Sequence, residues 1–380
     1  MSSSNFPFRA HRANLAALAA EDRRRSLSPR KGVDFASNDY LALAGSYALS
    51  EALAAGLERG IPAGSGGSRL LRGNHPEHEA LEAHAARHYG SEAALFFSTG
   101  FAANAALFAT LPQRGDLIVH DELIHASAHD GMKLGRAGRV DARHNDAQAF
   151  DDIIARWRRG GGTGTPWIAV ESLYSMDGDR APLADLAAVA DRHDAVLIID
   201  EAHATGVYGP AGQGLAHELA DRENIITLHT CGKALGCEGA LLCGPAIVRD
   251  FVVNRGRPFI FSTAPSPLVA WLVRNALEIV ANEPERAARL QALVRRAETR
   301  LAPLGIAASG TQIIPILIGD NARTMQIAAA LQAAGFDVRG IRPPTVPHGT
   351  ARLRIALTLN VDEPEIDAMV DALAAAMTAA

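Results

Sequence analysis

Lysine is scarce in this chain. Of the 37 Lys and Arg residues only Lys31, Lys133 and Lys233 are lysines, so any chemistry that needs a primary amine has three candidates. Cysteine is equally rare. Cys231, Cys237 and Cys243 are odd in number and match neither a CxxC pair nor a disulfide framework, which argues against a stapled secreted fold and a zinc site. No apolar run is long enough to span a bilayer. Met1 to Arg12 lacks the basic start, apolar middle and small-residue cleavage site of a secretory signal, so a cytoplasmic protein without membrane association is expected. Charge of one sign is also lacking: with 21% charged residues and a formal net charge of −5, the chain has no basic excess for nucleic acid.

What the chain does have is length and apolar content. Its 380 residues, 48% of them hydrophobic, are enough for two packed domains and a terminal segment. Asn14 to Arg25 reads as a helix ending in a basic cluster, followed by a short strand at Val33 to Phe35. From about Tyr47, helical patterns alternate with short apolar runs at 93–97, 117–119, 167–170, 195–199, 225–228 and 240–242. That alternation predicts an α/β fold with a mostly parallel central sheet covered by helices. A long helix over 267–281 leads into a region whose strands are expected at 313–318 and 353–357. The expected division is an N-terminal arm over 1–46, a large domain over 47–281 and a smaller C-terminal α+β domain over 282–380. The glycine-rich stretch 160–165 lacks the GK[ST] ending of a P-loop and reads as a surface turn.

Two consecutive strand ends carry the chemistry. Asp200 closes the run Val196 to Ile199, and open α/β sheets place ligands at the carboxyl ends of their strands. A strand-end Asp also caps turns, so by itself it does not decide the matter. Lys233 follows the next run in the segment Thr230-Cys231-Gly232-Lys233, whereas Lys31 and Lys133 lie in polar surroundings where a solvated amine is the default. Ser98 to Asn104 joins a strand to a helix, so the Gly100 and Phe101 amides would stand at a helix N-terminus able to hold a phosphate; a plain cap at Ser98 or Thr99 is compatible with that. His125, read alone, is a helix-start histidine bonded to backbone.

These segments come in an order that resembles one family. Ser37-Asn38-Asp39-Tyr40-Leu41, Gly64 to Arg69, Gly100 to Asn104, His125-Ala126-Ser127, Glu171 with Ser175 to Asp179, Asp200 to Gly206, Thr230 to Gly236, Phe261 to Thr263 and Arg342 to Arg354 are similar to the α-oxoamine synthases, fold-type I enzymes dependent on pyridoxal 5′-phosphate (PLP). The resemblance runs from Ser37 nearly to the C-terminus. It implies that Lys233 carries the cofactor as a Schiff base and shuttles a proton, Asp200 pairs with the pyridine nitrogen, and His203 and Ser175 meet the ring hydroxyl. It implies that His125 stacks on the ring and contacts substrate, and that Gly100, Phe101 and Thr230 bind the phosphate with Thr263 from the partner subunit of a homodimer. Asn38, Thr345, Arg23 and Arg354 would bind substrate, with Arg24 and Arg25 as alternatives to Arg23. The arm is shorter than in relatives, with only Ser26 to Ser37 between the basic cluster and Asn38.

The physical logic agrees with those roles. A carboxylate beside the ring nitrogen keeps it protonated, and a pyridinium is an electron sink for a carbanion. Arg354 offers a planar fork suited to a carboxylate. Within the family the likeness points to condensation of L-alanine with a pimeloyl thioester, on coenzyme A or an acyl-carrier protein, with loss of carbon dioxide. Glycine C-acetyltransferase and other members with different acyl and amino donors are the alternatives. An aminotransferase or a non-catalytic binding protein on the same scaffold are more distant ones.

Overall fold

The computed structural model describes residues 7–27 and 29–380. Residues 1–6, part of the expected arm and of the segment read for a secretory signal, lie outside the described residues, as does Ser28.

The chain divides into two compact units. The larger comprises Asn38–Ser175 and Asp179–Leu290; the smaller comprises the described residues up to Ser37, the excursion Met176–Gly178, and Gln291–Ala380. The first boundary therefore falls at Ser37 and Asn38, inside the segment expected to be an arm.

The larger unit is built on seven strands: β1 (Ala93–Phe97), β2 (Leu117–Asp121), β3 (Gly138–Ala142), β4 (Pro166–Glu171), β5 (Val196–Asp200), β6 (Ile225–Thr230) and β7 (Ala240–Gly244). Their order across the sheet is β1-β7-β6-β5-β4-β2-β3. Neighbours from β6 through β3 run parallel, and β7 alone is antiparallel to both of its neighbours. Six of these strands coincide with the apolar runs. β3 was not foreseen because its first four residues, Gly138 to Asp141, are exposed at the sheet edge and carry no apolar run.

Alternation along the strands divides the core into two faces, as period-2 side-chain geometry requires. Ala169, Ile198, Ile226 and Leu228 pack with Ala103, Leu107 and Phe108 of α1 (Gly100–Thr110) and Ala128 and Met132 of α2 (Ala126–Leu134). Ile168, Val170, Leu197 and Ile199 pack on the other face with Phe150 and Ile154 of α3 (Ala147–Arg159) and Leu186 and Ala190 of α4 (Leu183–Arg192). α1 and α2 approach each other closely through Gly131: a Cβ there would stand 2.7 Å from the Asn104 carbonyl oxygen and 3.1 Å from the Phe108 Cβ. The expected long helix is found over Pro267–Asn282, capped by the Ser266 hydroxyl on the Val269 amide.

The smaller unit contains a three-stranded antiparallel sheet in the order Arg339–Ile341, Ala351–Ala356, Ile313–Gly319. A two-residue parallel pair joins Val33–Asp34 to Phe336–Asp337. Its first helix spans Arg9–Ala20 instead of the expected 14–25. Asp22 adopts a left-handed φ of 52°, which ends the helix before the arginine cluster. The excursion 176–178 is held within this unit: Arg352 pairs with Asp177, and the Thr311 hydroxyl donates to the Gly178 carbonyl at 2.7 Å.

Among the described residues no helix is long and apolar enough to cross a membrane. Nor do their His, Cys, Asp and Glu side chains gather into a group that could hold a metal ion.

Candidate active site

The larger unit brings most of the expected cofactor residues to the carboxyl ends of its central strands. Asp200 is buried at the end of β5, in register with Glu171 at the end of β4 and Leu228 on β6. Its Oδ1 accepts from the Ala202 amide at 3.0 Å and its Oδ2 from the Asn104 side-chain amide, also at 3.0 Å. Lys233 is half-buried in the turn after β6, and its Nζ donates to the Thr230 hydroxyl at 3.4 Å. The Thr230 hydroxyl in turn reaches the Ala202 carbonyl at 3.2 Å.

Around this pair the other residues fall into place. Gly100 opens α1 directly against Thr230; an added Cβ would meet the Thr230 methyl at 2.8 Å. Thr99 caps the helix by accepting from the Ala102 amide at 3.0 Å. The Gly100 and Phe101 amides have no acceptor within the helix, which leaves this end suited to an anion. His125 is the N-cap of α2, its Nδ1 accepting from the Ser127 amide at 3.3 Å, so the backbone-capping reading of this residue holds as far as its ring nitrogen goes. Loss of hydration lowers the His125 pKa; the Asp200 carboxylate opposes that and the Lys233 ammonium reinforces it, which places both charges in the surroundings of the ring. His203 is buried, with Nδ1 2.6 Å from the Tyr40 hydroxyl, and Tyr40 donates to Asn38 at 3.0 Å. The Ser175 amide donates to Glu171 at 3.3 Å.

These residues suit PLP. A helix N-terminus with a threonine hydroxyl accepts a phosphate, a buried carboxylate can face a ring nitrogen, and an amine stands on the adjoining strand end. Thr263 is exposed and lines a crevice of about 10 Å³ with Ser98 and Ala102 of its own chain.

In the smaller unit, Arg23 donates to the Pro343 carbonyl at 3.1 Å and Arg25 to the Thr345 hydroxyl at 2.9 Å. Both line a cavity of about 150 Å³ with Gly340 to Pro343 and Thr345; Arg24 does not. Arg354 is buried on the strand Ala351–Ala356, opposite Arg339 and Pro315.

The family model described as aminotransferase class I and II matches residues 30–373. A curated 8-amino-7-oxononanoate synthase from Anaeromyxobacter dehalogenans is 43% identical, with 96% of this chain and 94% of that protein covered. One from Methylobacterium nodulans is 41% identical, over 95% of this chain and 94% of that protein. The chain belongs to the class I and II aminotransferases, within the 8-amino-7-oxononanoate synthase family. Among solved structures, a serine palmitoyltransferase from S. paucimobilis superposes with a TM-score of 0.89 at 25% identity, covering 100% of this chain and 99% of that one. An 8-amino-7-oxononanoate synthase from Francisella tularensis gives 0.78 at 26% identity, covering 92% and 98%.

Four further residues of this synthase-family site went unassigned in the sequence, although all lie inside segments that mark the resemblance. Tyr40 and Asn104 are buried hydrogen-bonding partners of His203 and Asp200, and Ser127 bonds both Asn104 at 2.9 Å and His125 at 2.8 Å. Glu171 is fully enclosed; burial and the neighbouring Asp200 push its carboxyl well above the usual range. Burial raises the thiols of all three cysteines, Cys237 and Cys243 to about 12, which keeps them protonated at neutral pH.

Proposed function

We propose that the protein is a PLP-dependent acyltransferase that condenses L-alanine with a pimeloyl thioester, giving 8-amino-7-oxononanoate, carbon dioxide and the free thiol, as a step of biotin biosynthesis. The observation that carries the reading is the placement of Lys233 and Asp200 at adjacent strand ends, beside the open helix end at Gly100. Lys233 would hold the cofactor aldehyde, Asp200 the ring nitrogen, and His203 and Ser175 the ring hydroxyl. Gly100, Phe101 and Thr230 would hold the phosphate, with Thr263 contributed by the partner subunit of a homodimer. Bound there, PLP supplies an electron sink for negative charge at the amino-acid α-carbon.

The chain's own residues do the rest. The Lys233 amine takes the α-proton of alanine; its position beside Thr230 gives that amine a polar neighbour through which to hold its orientation. His125 would stack on the cofactor ring. Arg354 would bind a substrate carboxylate through its fork, and Asn38 is assigned to substrate binding. Arg23 and Thr345 receive the acyl donor. The cavity they line also admits Arg25, which shares that assignment. Carbon–carbon bond formation expels the thiol, and loss of the alanine carboxylate as carbon dioxide completes the balance.

Leu71, Phe101 and Phe261 are large exposed apolar side chains of the larger unit, and their burial against a second copy would support the dimer. The cell compartment assigned is the cytoplasm.

The serine palmitoyltransferase likeness favours a second reading, a sibling condensation with another acyl chain and amino acid. One panel separates the two: carbon dioxide release with pimeloyl, acetyl, succinyl and palmitoyl thioesters, each paired with alanine, glycine and serine. Preference for pimeloyl with alanine supports the assignment, and preference for acetyl with glycine or palmitoyl with serine overturns it.

A further inference from the structure

Four side chains from three elements form an unbroken series of hydrogen bonds at the proposed cofactor site. Asp200 Oδ2 lies 3.0 Å from Asn104 Nδ2, which lies 2.9 Å from Ser127 Oγ, which lies 2.8 Å from His125 Nδ1. Asp200, Asn104 and Ser127 are all buried, so water does not offer them competing partners.

The direction of each bond follows from where the protons are. A carboxylate offers only acceptors, so the Asn104 group facing it is the NH₂. One of its two hydrogens goes to Asp200 and the other to Ser127 Oγ. Ser127 thus accepts from Asn104, and its single hydroxyl hydrogen is left for His125 Nδ1. The Ser127 amide donates to the same Nδ1 at 3.3 Å. A ring nitrogen that receives two donors must present its lone pair, so the proton of the neutral imidazole sits on Nε2.

We infer that Asn104 and Ser127 are positioning residues that carry the orientation of Asp200 to His125 and hold its ring as the neutral Nε2–H tautomer. The inference rests on the reading in which His125 covers the cofactor, and gives that reading a specific chemical form. His125 offers a hydrogen-bond donor at Nε2 and no base at Nδ1, which leaves the α-proton to Lys233. The charged groups that bear on the ring are Asp200, from the end of β5, and Lys233, from the turn after β6. Removal of the Ser127 hydroxyl takes away a donor that opposes protonation at Nδ1, so the His125 titration midpoint should rise.

The test is nitrogen NMR of the PLP-loaded enzyme labelled at histidine, with the His125 signals assigned by their absence in His125→Asn. The expected wild-type result near neutral pH is an unprotonated Nδ1 and a protonated Nε2. In Ser127→Ala the two signals should move toward each other as the tautomers mix, and the titration midpoint should shift upward; Ser127→Thr should restore both. Asn104→Leu, which keeps Ser127 but removes its donor, should also mix the tautomers. An Nδ1–H or charged His125 in the wild type overturns the inference, as do unchanged shifts and midpoint in Ser127→Ala. The cofactor reading fails separately: if the protein takes up no PLP when titrated with it, the role assigned to His125 is removed, and the same spectra recorded on the unloaded protein still decide whether the hydrogen-bond series stands.

Discussion

Lys233 is singled out both by scarcity and by place. One of three lysines, it alone stands at the end of a central strand, bonded to the hydroxyl expected to meet the phosphate. Arginine cannot replace it, because a guanidinium keeps the charge but does not form the imine or accept a proton at neutral pH. Lys233→Arg should therefore lower carbon dioxide release by more than about a hundredfold, with the circular dichroism spectrum unchanged. A variant retaining about a tenth of wild-type turnover would deny this amine its role. The residues missed in the sequence teach the complementary lesson. Asn104 and Ser127 read locally as an ordinary helical amide and a first-turn serine. They acquire meaning only because Gly131 lets α1 and α2 come together across the intervening strand, and because Asn104 also meets Asp200, 96 residues further on.

At the scale of elements, the strand ends were legible and the edges were not. Apolar runs mark the six inner or well-covered strands, whereas β3 is exposed over Gly138 to Asp141 and leaves no such mark. Loops that join strand ends were less legible still. His144, just beyond β3, donates through Nδ1 to Asp121 of β2 at 2.9 Å and through Nε2 to Asp179 at 2.8 Å, while the Tyr174 ring packs edge-on against it at 4.5 Å. This clamp closes the base of the loop that carries Ser175. Burial alone would lower the His144 pKa, but the hydrogen bonds and charges of the two carboxylates outweigh it and hold it at about 10 instead of 6.5. A folded-state pKa raised in this way stabilises fully below about 6.5, and the contribution is lost as pH rises through about 10. The stability gap between wild type and His144→Gln, measured by denaturant unfolding, should accordingly be widest near pH 6 and shrink toward pH 10. A gap that stays constant or widens with pH would show that His144 is not a charged clamp.

At the scale of the whole molecule, fold class and chemistry were legible together because the ligand-bearing ends of a parallel sheet are fixed by topology. The register of the first helix and the choice among Arg23, Arg24 and Arg25 were not, since both depend on where the chain turns at Asp22 and on contacts with 340–345. The proposed dimer adds a prediction of its own. If Thr263 of the partner donates to the phosphate, Thr263→Ala should weaken PLP binding about tenfold, the worth of one hydrogen bond to a charged group at roughly 1.5 kcal/mol. The protein should sediment as a dimer in the same experiment; a monomer with undiminished affinity would remove Thr263 from the site.

The most direct measurement uses the scarcity of lysine itself. The PLP-loaded protein is reduced with borohydride, digested and mapped by mass spectrometry across its three lysines. The account predicts a phosphopyridoxyl group on Lys233 and none on Lys31 or Lys133. Modification confined to either of those two, or no modification at all, would contradict it.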